Sequence, residues 1–172
     1  MKELKVYLLN SKKERVATSI ELSKFNIFIG NDFDNIRKII RNSSRKDSVY
    51  GYEDFGSGSC ISEHKNIVYE FIKHYYNKNK VAVIHTDSQF VLYAFNNLIF
   101  NYIVKDKMPS NLRDEMTCKD IMIDPKDIRI YQVENGVVTL IQNKDGLIEH
   151  NCFDSEMNII MNDFYKMINY YE

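Results

Sequence analysis

Residues that interrupt regular structure are scarce in this 172-residue chain, which has six glycines, two prolines and no tryptophan. Any site built on glycine therefore has to use Gly30, Gly51, Gly56, Gly58, Gly136 or Gly146. The three cysteines are odd in number and far apart, which argues against a disulfide framework and against a zinc site. We therefore expect a reducing compartment and a cytoplasmic protein.

Long apolar runs and an excess of basic residues are also lacking. No stretch approaches the ~18 uncharged apolar residues of a membrane helix, and the first residues are not followed by the apolar region of a secretory signal. The net charge of −1 disfavours a globally basic nucleic-acid binder but leaves room for a local basic patch. Because 44% of the residues are apolar, we expect one domain over residues 1–172 with a real core.

The first half of the chain has the pattern of strands followed by a helix. Two strands are predicted near residues 4–9 and 15–22, and a short β-rich run at Phe25–Ile29 ends at Gly30. The segment Asn31–Asp34 offers helix-capping residues before Ile36, Ile39 and Ile40, which recur at helical spacing.

The middle of the chain alternates between strand and helix. A strand is predicted at residues 48–52, an amphipathic helix from Ile61 to Tyr75, a buried strand at Val81–Ile84 and a helix from about Ser88 to Tyr102. This alternation predicts a mainly parallel sheet.

The C-terminal third predicts a hairpin and a terminal helix. Asn135-Gly136 separates two β-rich runs, which is the strongest short hairpin signal. Apolar residues recur at helical spacing from Phe153 to Tyr171. The predicted fold is α/β: a mainly parallel sheet flanked by helices, with an N-terminal antiparallel strand pair, a C-terminal β-hairpin and a terminal helix.

The layout around Gly30 is that of a phosphate-binding loop, with an apolar strand, a glycine, a short loop and a helix. Backbone N–H groups at a helix start can hold phosphate oxygens. The full motif needs a second glycine, then Lys, then Ser or Thr, but those positions hold Asn35, Ile36 and Arg37. The alternative interpretation is that Gly30 merely ends a strand.

Three segments in order resemble the heads of ABC-type ATPases, a group that includes repair ATPases and the ATPase halves of OLD-family nucleases. Residues 22–31 resemble the entry to their nucleotide site, residues 81–92 their switch strand, and residues 123–148 with the following terminal segment the C-terminal end of small phage and bacterial members. The resemblance implies a P-loop-NTPase-like sheet and, as cofactors, ATP and Mg²⁺. It makes Gly30, Asn31, Asn35, Arg37 and Lys38 a degenerate phosphate loop.

The catalytic positions of the family are also altered. Its switch histidine falls at Asp87, with His85 two residues upstream on the same face of the strand. The only candidates for its magnesium-binding and general-base acids are Glu53 and Asp54. The alternatives are a strand-end histidine with a local hydrogen bond and a solvated acidic turn.

The glycine-rich segment Gly56–Ser59 has three interpretations. It resembles the Ser-Gly signature that one ATPase head presents to its partner's nucleotide, or it is the loop after the paired acids. The third interpretation, a turn that caps the next helix through Ser59 or Ser62, is the one we favour. The helical lobe of the family, which closes a head dimer over ATP, is absent or reduced to residues 41–47.

Aromatic side chains raise the question of nucleic-acid binding. Tyrosines at several positions offer surfaces for base stacking, but no basic stripe adjoins them in the sequence, so we expect core or interface packing. These tyrosines are Tyr75, Tyr76, Tyr93, Tyr102, Tyr170 and Tyr171.

The resemblance, with its altered motifs, implies an ATPase-like protein without hydrolytic activity, of phage or mobile-element origin. We expect it to act through a protein partner, an ATPase or nuclease complex, or as a homodimer, with nucleic acid reached through that partner and no membrane involved. The alternatives are a minimal ATP-binding protein whose site a dimer partner completes, and an unrelated α/β binding protein.

Overall fold

The computed structural model describes residues 2–45, 48–60, 63–116, 118–154 and 157–158. Two strands, β1 (Lys2–Leu9) and β2 (Arg15–Leu22), form an antiparallel pair in which Leu4 lies opposite Ile20. This pair is a sheet of its own.

A five-stranded sheet forms the centre of the molecule. Its strands are β3 (Phe25–Ile29), β4 (Val49–Tyr52), β5 (Val81–His85), β6 (Ile128–Glu134) and β7 (Val137–Leu140). They lie in the order β4-β5-β3-β6-β7, and all neighbours are parallel except β6 and β7. All five residues of the central strand β3 are buried, as expected for a strand covered on both faces.

Helices cover both faces of this sheet. One face packs against α1 (Phe33–Ser44) and the β1–β2 pair, where Ile36, Ile39 and Phe28 share a core. The other face packs against α2 (His64–Tyr75) and α3 (Gln89–Val104), where Val68 and Phe95 belong to a second core. A short helix, α4 (Ser110–Asp114), follows, and a 3₁₀ turn at Pro125–Asp127 leads into β6.

The coarse fold prediction is confirmed: the protein is α/β, with a mostly parallel sheet between helices and an N-terminal antiparallel pair. The predicted hairpin turn is present, since Asn135 and Gly136 both have positive φ, 50° and 78°, as a type I′ turn requires. The terminal helix predicted over Phe153–Tyr171 lies mostly outside the described residues.

The start of α2 differs from its prediction. The helix begins at His64, and its N-cap residue is Glu63 rather than Ser59. Ser62, the other predicted capping residue, lies outside the described residues. Tyr75 and Tyr76 are half-buried and pack against the second core, in line with the core packing expected for them. Lysines also lie over their rings, Lys24 over Tyr76 and Lys78 over Tyr75. Lys24 and Tyr76 are far apart in the sequence, so no local pattern indicates this contact.

Candidate functional site at the carboxyl edge of the sheet

The segments that resemble nucleotide-binding motifs meet at one edge of the sheet. Strands β4, β5 and β3 are adjacent and parallel, so the residues that follow them lie side by side. This edge carries the loop after Gly30, the acidic pair Glu53 and Asp54, and the residues from His85 to Asp87. In open α/β sheets the carboxyl ends of the strands are where ligands bind.

Gly30 is required by packing. Its φ is +119°, and a Cβ atom there would lie 2.3 Å from the carbonyl oxygen of Val133 on β6. Only glycine tolerates this combination of conformation and close backbone approach. The glycine is thus explained without a bound phosphate, while the neighbouring Asn31 is exposed.

Asn35 closes the loop against the end of β1. Its side chain is 2% exposed. The Oδ1 atom accepts from the backbone N–H of Leu9 at 2.9 Å, and Nδ2 donates to the carbonyl oxygen of Leu9 at 2.7 Å. The amide therefore occupies the position where the motif has its second glycine and holds β1 against α1.

Carboxylates stand at the N-terminus of α1. Asp32 is the N-cap residue, but its carboxylate accepts from the Asn35 side chain (Nδ2, 2.9 Å) and from Gly136 N at 2.8 Å rather than from a backbone N–H of its own helix. Asp34 lies in the first turn and is exposed. The positive end of the helix dipole here stabilises the protein's own acids. A cavity of about 620 Å³ adjoins these acids and the β1–β2 turn, with Lys13 on its rim.

The next three residues of the degenerate loop differ in burial and in the groups they contact. Ile36 is fully buried in the core beneath α1. Arg37 pairs with Glu53 (Nε to Oε2, 3.6 Å), as does Arg41 (Nε to Oε1, 3.6 Å). Lys38 is half-buried. The acid Glu53 is therefore shared by two guanidinium groups of α1.

Asp54 and His85 form the closest acid–base pair of the site. Asp54 Oδ1 lies 3.1 Å from His85 Nδ1, and Asp54 has a positive φ of 55°. Because an ionised carboxylate only accepts hydrogen bonds, Nδ1 of His85 carries the proton. The imidazole is 2% exposed, and the ring of Phe33 lies edge-on at 5.6 Å between centroids. Its Nε2 atom is buried and has no hydrogen-bond partner among the described residues.

Asp87 belongs to a second cavity, which has a volume of about 370 Å³ and lies between Gly56–Ser59 and the start of α3. Its side chain is exposed. In the same cavity His64 Nδ1 lies 2.8 Å from the hydroxyl of Ser88, which also caps α3 by accepting from Val91 N. Sequence reasoning missed this contact because the two residues are 24 positions apart and belong to no common motif.

The arrangement does not fit Mg²⁺ and ATP. Glu53 and Asp54 are exposed but already have partners in the protein, two arginines for Glu53 and His85 for Asp54, so a bound cation would have to compete with these contacts. Within the described ranges, no group of three or more His, Cys, Asp or Glu side chains could hold a metal ion. The same ranges contain no helix that is long and apolar enough to cross a membrane.

Comparison of the chain with protein-family models, with curated proteins and with solved structures gives no match.

Proposed function

We propose that this chain is an ATPase-like protein that does not hydrolyse ATP and acts by binding a protein partner. The observation that carries the proposal is the burial of Ile36. It stands where the phosphate-binding lysine of the motif would be, and it is fully buried in the core beneath α1. A lysine in that conformation would lie in the core instead of reaching a phosphate.

The charges of the loop support the same conclusion. Phosphoryl transfer relies on cations and a metal that neutralise the phosphates. Here Asp32 and Asp34 stand at the helix start, and the nearest guanidinium of the loop, Arg37, is paired with Glu53. Loss of one electrostatic stabiliser costs ~3–4 kcal/mol of barrier, and here the lysine, the hydroxyl and the metal-binding acid are all replaced or engaged.

A row of exposed aromatic side chains on α3 supports a protein partner. Phe90, Tyr93 and Phe100 are exposed by 52%, 36% and 49%. Their spacing of three and seven residues places them along one side of the helix. Exposed aromatic clusters of this kind are typical of protein interfaces. By the resemblance, the partner is an ATPase or a nucleic-acid-processing or defence complex, and the chain is encoded by a phage or mobile element.

The partner is tested by affinity capture from host cells with the wild-type chain and with the double variant Phe90→Ser/Phe100→Ser. We expect the wild type to retain an ATPase or nuclease subunit and the variant to lose it. The control is Tyr7→Ser, which removes an aromatic residue that is 68% exposed on β1 instead. Equal capture by all three proteins would contradict a role for the α3 surface.

The absence of hydrolysis is tested by phosphate release from ATP with Mg²⁺ over a range of protein concentrations. We expect no release above background at any concentration. The alternative, a minimal ATP-binding protein completed by a second copy, predicts activity or ATP affinity that rises steeply as the chain self-associates.

A further inference from the structure

A recess at the amino edge of the sheet lies at the opposite end from the candidate site. Strands β3 and β5 begin side by side, and Ala82 N donates to the carbonyl oxygen of Lys24 at 2.8 Å. The residue before β3 is thereby placed next to the turn at residues 77–80. The recess has a volume of about 360 Å³ and is lined by Lys24, Asn77, Lys78, Asn79, Lys80 and Val81.

Each of the three lysines lies over a tyrosine ring. The Nζ atom is 4.7 Å from the ring centroid for Lys24 over Tyr76, 4.6 Å for Lys78 over Tyr75 and 4.2 Å for Lys80 over Tyr50. Such cation–π contacts hold the ammonium groups in place without removing their charge. We call the three lysines and their three tyrosines the amino-edge patch.

The amino-edge patch is strongly positive for a chain whose net charge is −1. Among the described residues, the recess is lined by three cations, two amides and one apolar side chain, without a carboxylate. The nearby Asp127 accepts a hydrogen bond from Tyr76 at 3.0 Å. The pKa of Tyr50 is lowered by the hydrogen bond from Lys80 and by the charges of Lys80 and Lys78, which reports the positive potential of this surface.

We propose that the amino-edge patch binds single-stranded nucleic acid, with backbone phosphates on the three ammonium groups and a base against the half-buried ring of Tyr50. The rings of Tyr75 and Tyr76 each lie between a lysine and a phenylalanine, so they position the lysines. Lysines interleaved with aromatic rings around a groove are the recurrent means of binding single strands without sequence preference. The recess, near the lower end of the ~300–1,000 Å³ of small-ligand sites, accommodates a nucleotide-sized unit of a flexible strand. A duplex or a lipid surface would touch only its rim. This binding is direct and independent of the proposed function, in which nucleic acid is met through a partner.

The number of lysines fixes the expected salt dependence. A single strand that releases counterions at three phosphates gives a slope of about −2 in a plot of log affinity against log salt concentration. The affinity should therefore fall about 20-fold between roughly 50 and 200 mM salt.

The experiment is fluorescence anisotropy with a labelled oligothymidylate of about 12 nucleotides, within the range of known single-strand sites. The test variant is Lys24→Gln/Lys78→Gln/Lys80→Gln. The matched control is Lys5→Gln/Lys12→Gln/Lys107→Gln, which makes the same change in net charge with lysines outside the patch. Circular dichroism and thermal unfolding of all three proteins establish that they are folded.

We expect the patch variant to lose at least 10-fold in affinity (about three phosphate contacts) and the control to stay within about 2-fold. A Tyr50→Leu variant should bind at least about 5-fold more weakly than Tyr50→Phe, which keeps the ring. Equal losses in both lysine triples, or a salt slope shallower than about −1, would overturn the proposal. So would equal or tighter binding of duplex DNA, heparin, an acidic peptide or anionic vesicles.

Discussion

Asn35 joins the end of β1 to the start of α1 through both polar atoms of its amide. The backbone N–H and C=O of Leu9 have Asn35 as their hydrogen-bond partner at 2.9 and 2.7 Å. A buried polar group that loses its partner costs about 1–3 kcal/mol. The residue at the position of the motif's second glycine thus has a structural role that glycine could not fill.

We therefore expect Asn35→Ala to lower the free energy of unfolding by about 2–4 kcal/mol. Chemical denaturation measures this change. The control Asn31→Ala, four positions earlier at an exposed site of the same loop, should change it by less than about 0.5 kcal/mol. Similar small effects of both substitutions would show that the Leu9 contacts add nothing to stability.

Gly30 gives the second prediction at this scale. Gly30→Ala should destabilise the fold by at least about 2 kcal/mol for two reasons. The alanine would have to keep a positive φ, and its Cβ atom would clash with the carbonyl oxygen of Val133. Gly58→Ala, where φ is +79° and no atom lies within 4 Å of the added Cβ, should cost about 1 kcal/mol. Unfolding curves of the two variants test the difference, and equal costs would contradict the packing role. A loss of function in Gly30 variants consequently says nothing about nucleotide binding.

At the scale of elements, α1 packs its apolar face on the sheet and pairs its exposed arginines with the acid that follows β4. Ile36, Ile39 and Ile40 are buried, while Arg37 and Arg41 reach Glu53. The helical spacing of the apolar residues therefore determines which positions of the degenerate loop are buried and which are exposed.

Restoring the missing lysine should fail for this reason. Ile36→Lys places a charge in the core and should destabilise the protein by at least about 3 kcal/mol without creating ATP affinity. Arg37→Lys, which keeps the charge at the exposed neighbouring position, should be nearly neutral. The comparison needs thermal unfolding and an ATP titration of both variants. A stable Ile36→Lys protein that binds ATP would refute our account of α1.

Tyr131 connects the central sheet to the N-terminal strand pair. Its ring stacks on Phe28 at 5.2 Å between centroids, and its hydroxyl donates to the carbonyl oxygen of Glu21 on β2. Burial raises the pKa of Tyr131 to about 12, from 10.0. A raised pKa in the folded state means that the neutral phenol is stabilised by folding. This contribution is complete below pH ~10 and is lost as the pH rises from about 10 to 12.

We expect the wild type to lose about 2–3 kcal/mol of unfolding free energy over that range through this group. Tyr131→Phe lacks the titrating hydroxyl, so the stability difference between wild type and variant should shrink as the pH rises from about 10 to 12. Urea unfolding at several pH values measures it. A difference that is constant with pH would mean that the phenol titrates normally.

At the scale of the whole molecule, local sequence patterns predict the helices, strands and turns but not the side-chain contacts between distant loops. The strand at Phe25–Ile29 and the hairpin turn at Asn135-Gly136 were predicted correctly because apolar runs and turn residues act over a few positions. For the site, the sequence predicts only separate segments, and the structure brings them to one edge of the sheet. The Asp54–His85 and Ser88–His64 contacts join residues 31 and 24 positions apart, and their geometry depends on how loops pack.

The carboxyl edge and the amino edge of the sheet differ in electrostatic character. Around the loop after β3, acids are paired with arginines and a histidine or stand at the start of α1, and the position of the phosphate-binding lysine is buried. Around the starts of β3 and β5, three lysines line a recess without a carboxylate among its described residues. We therefore expect phosphate groups to bind at the amino edge, whereas the resemblance to ATPases places them at the carboxyl edge.

Calorimetric titration of the wild-type chain with ATP and Mg²⁺ tests whether the carboxyl-edge loop binds nucleotide. We expect no saturable binding with a dissociation constant below about 1 mM. Any weak heat should be lost in the Lys24→Gln/Lys78→Gln/Lys80→Gln variant, since the amino edge would be its source. A micromolar dissociation constant that persists in that variant would contradict the claim that the carboxyl-edge loop no longer binds nucleotide.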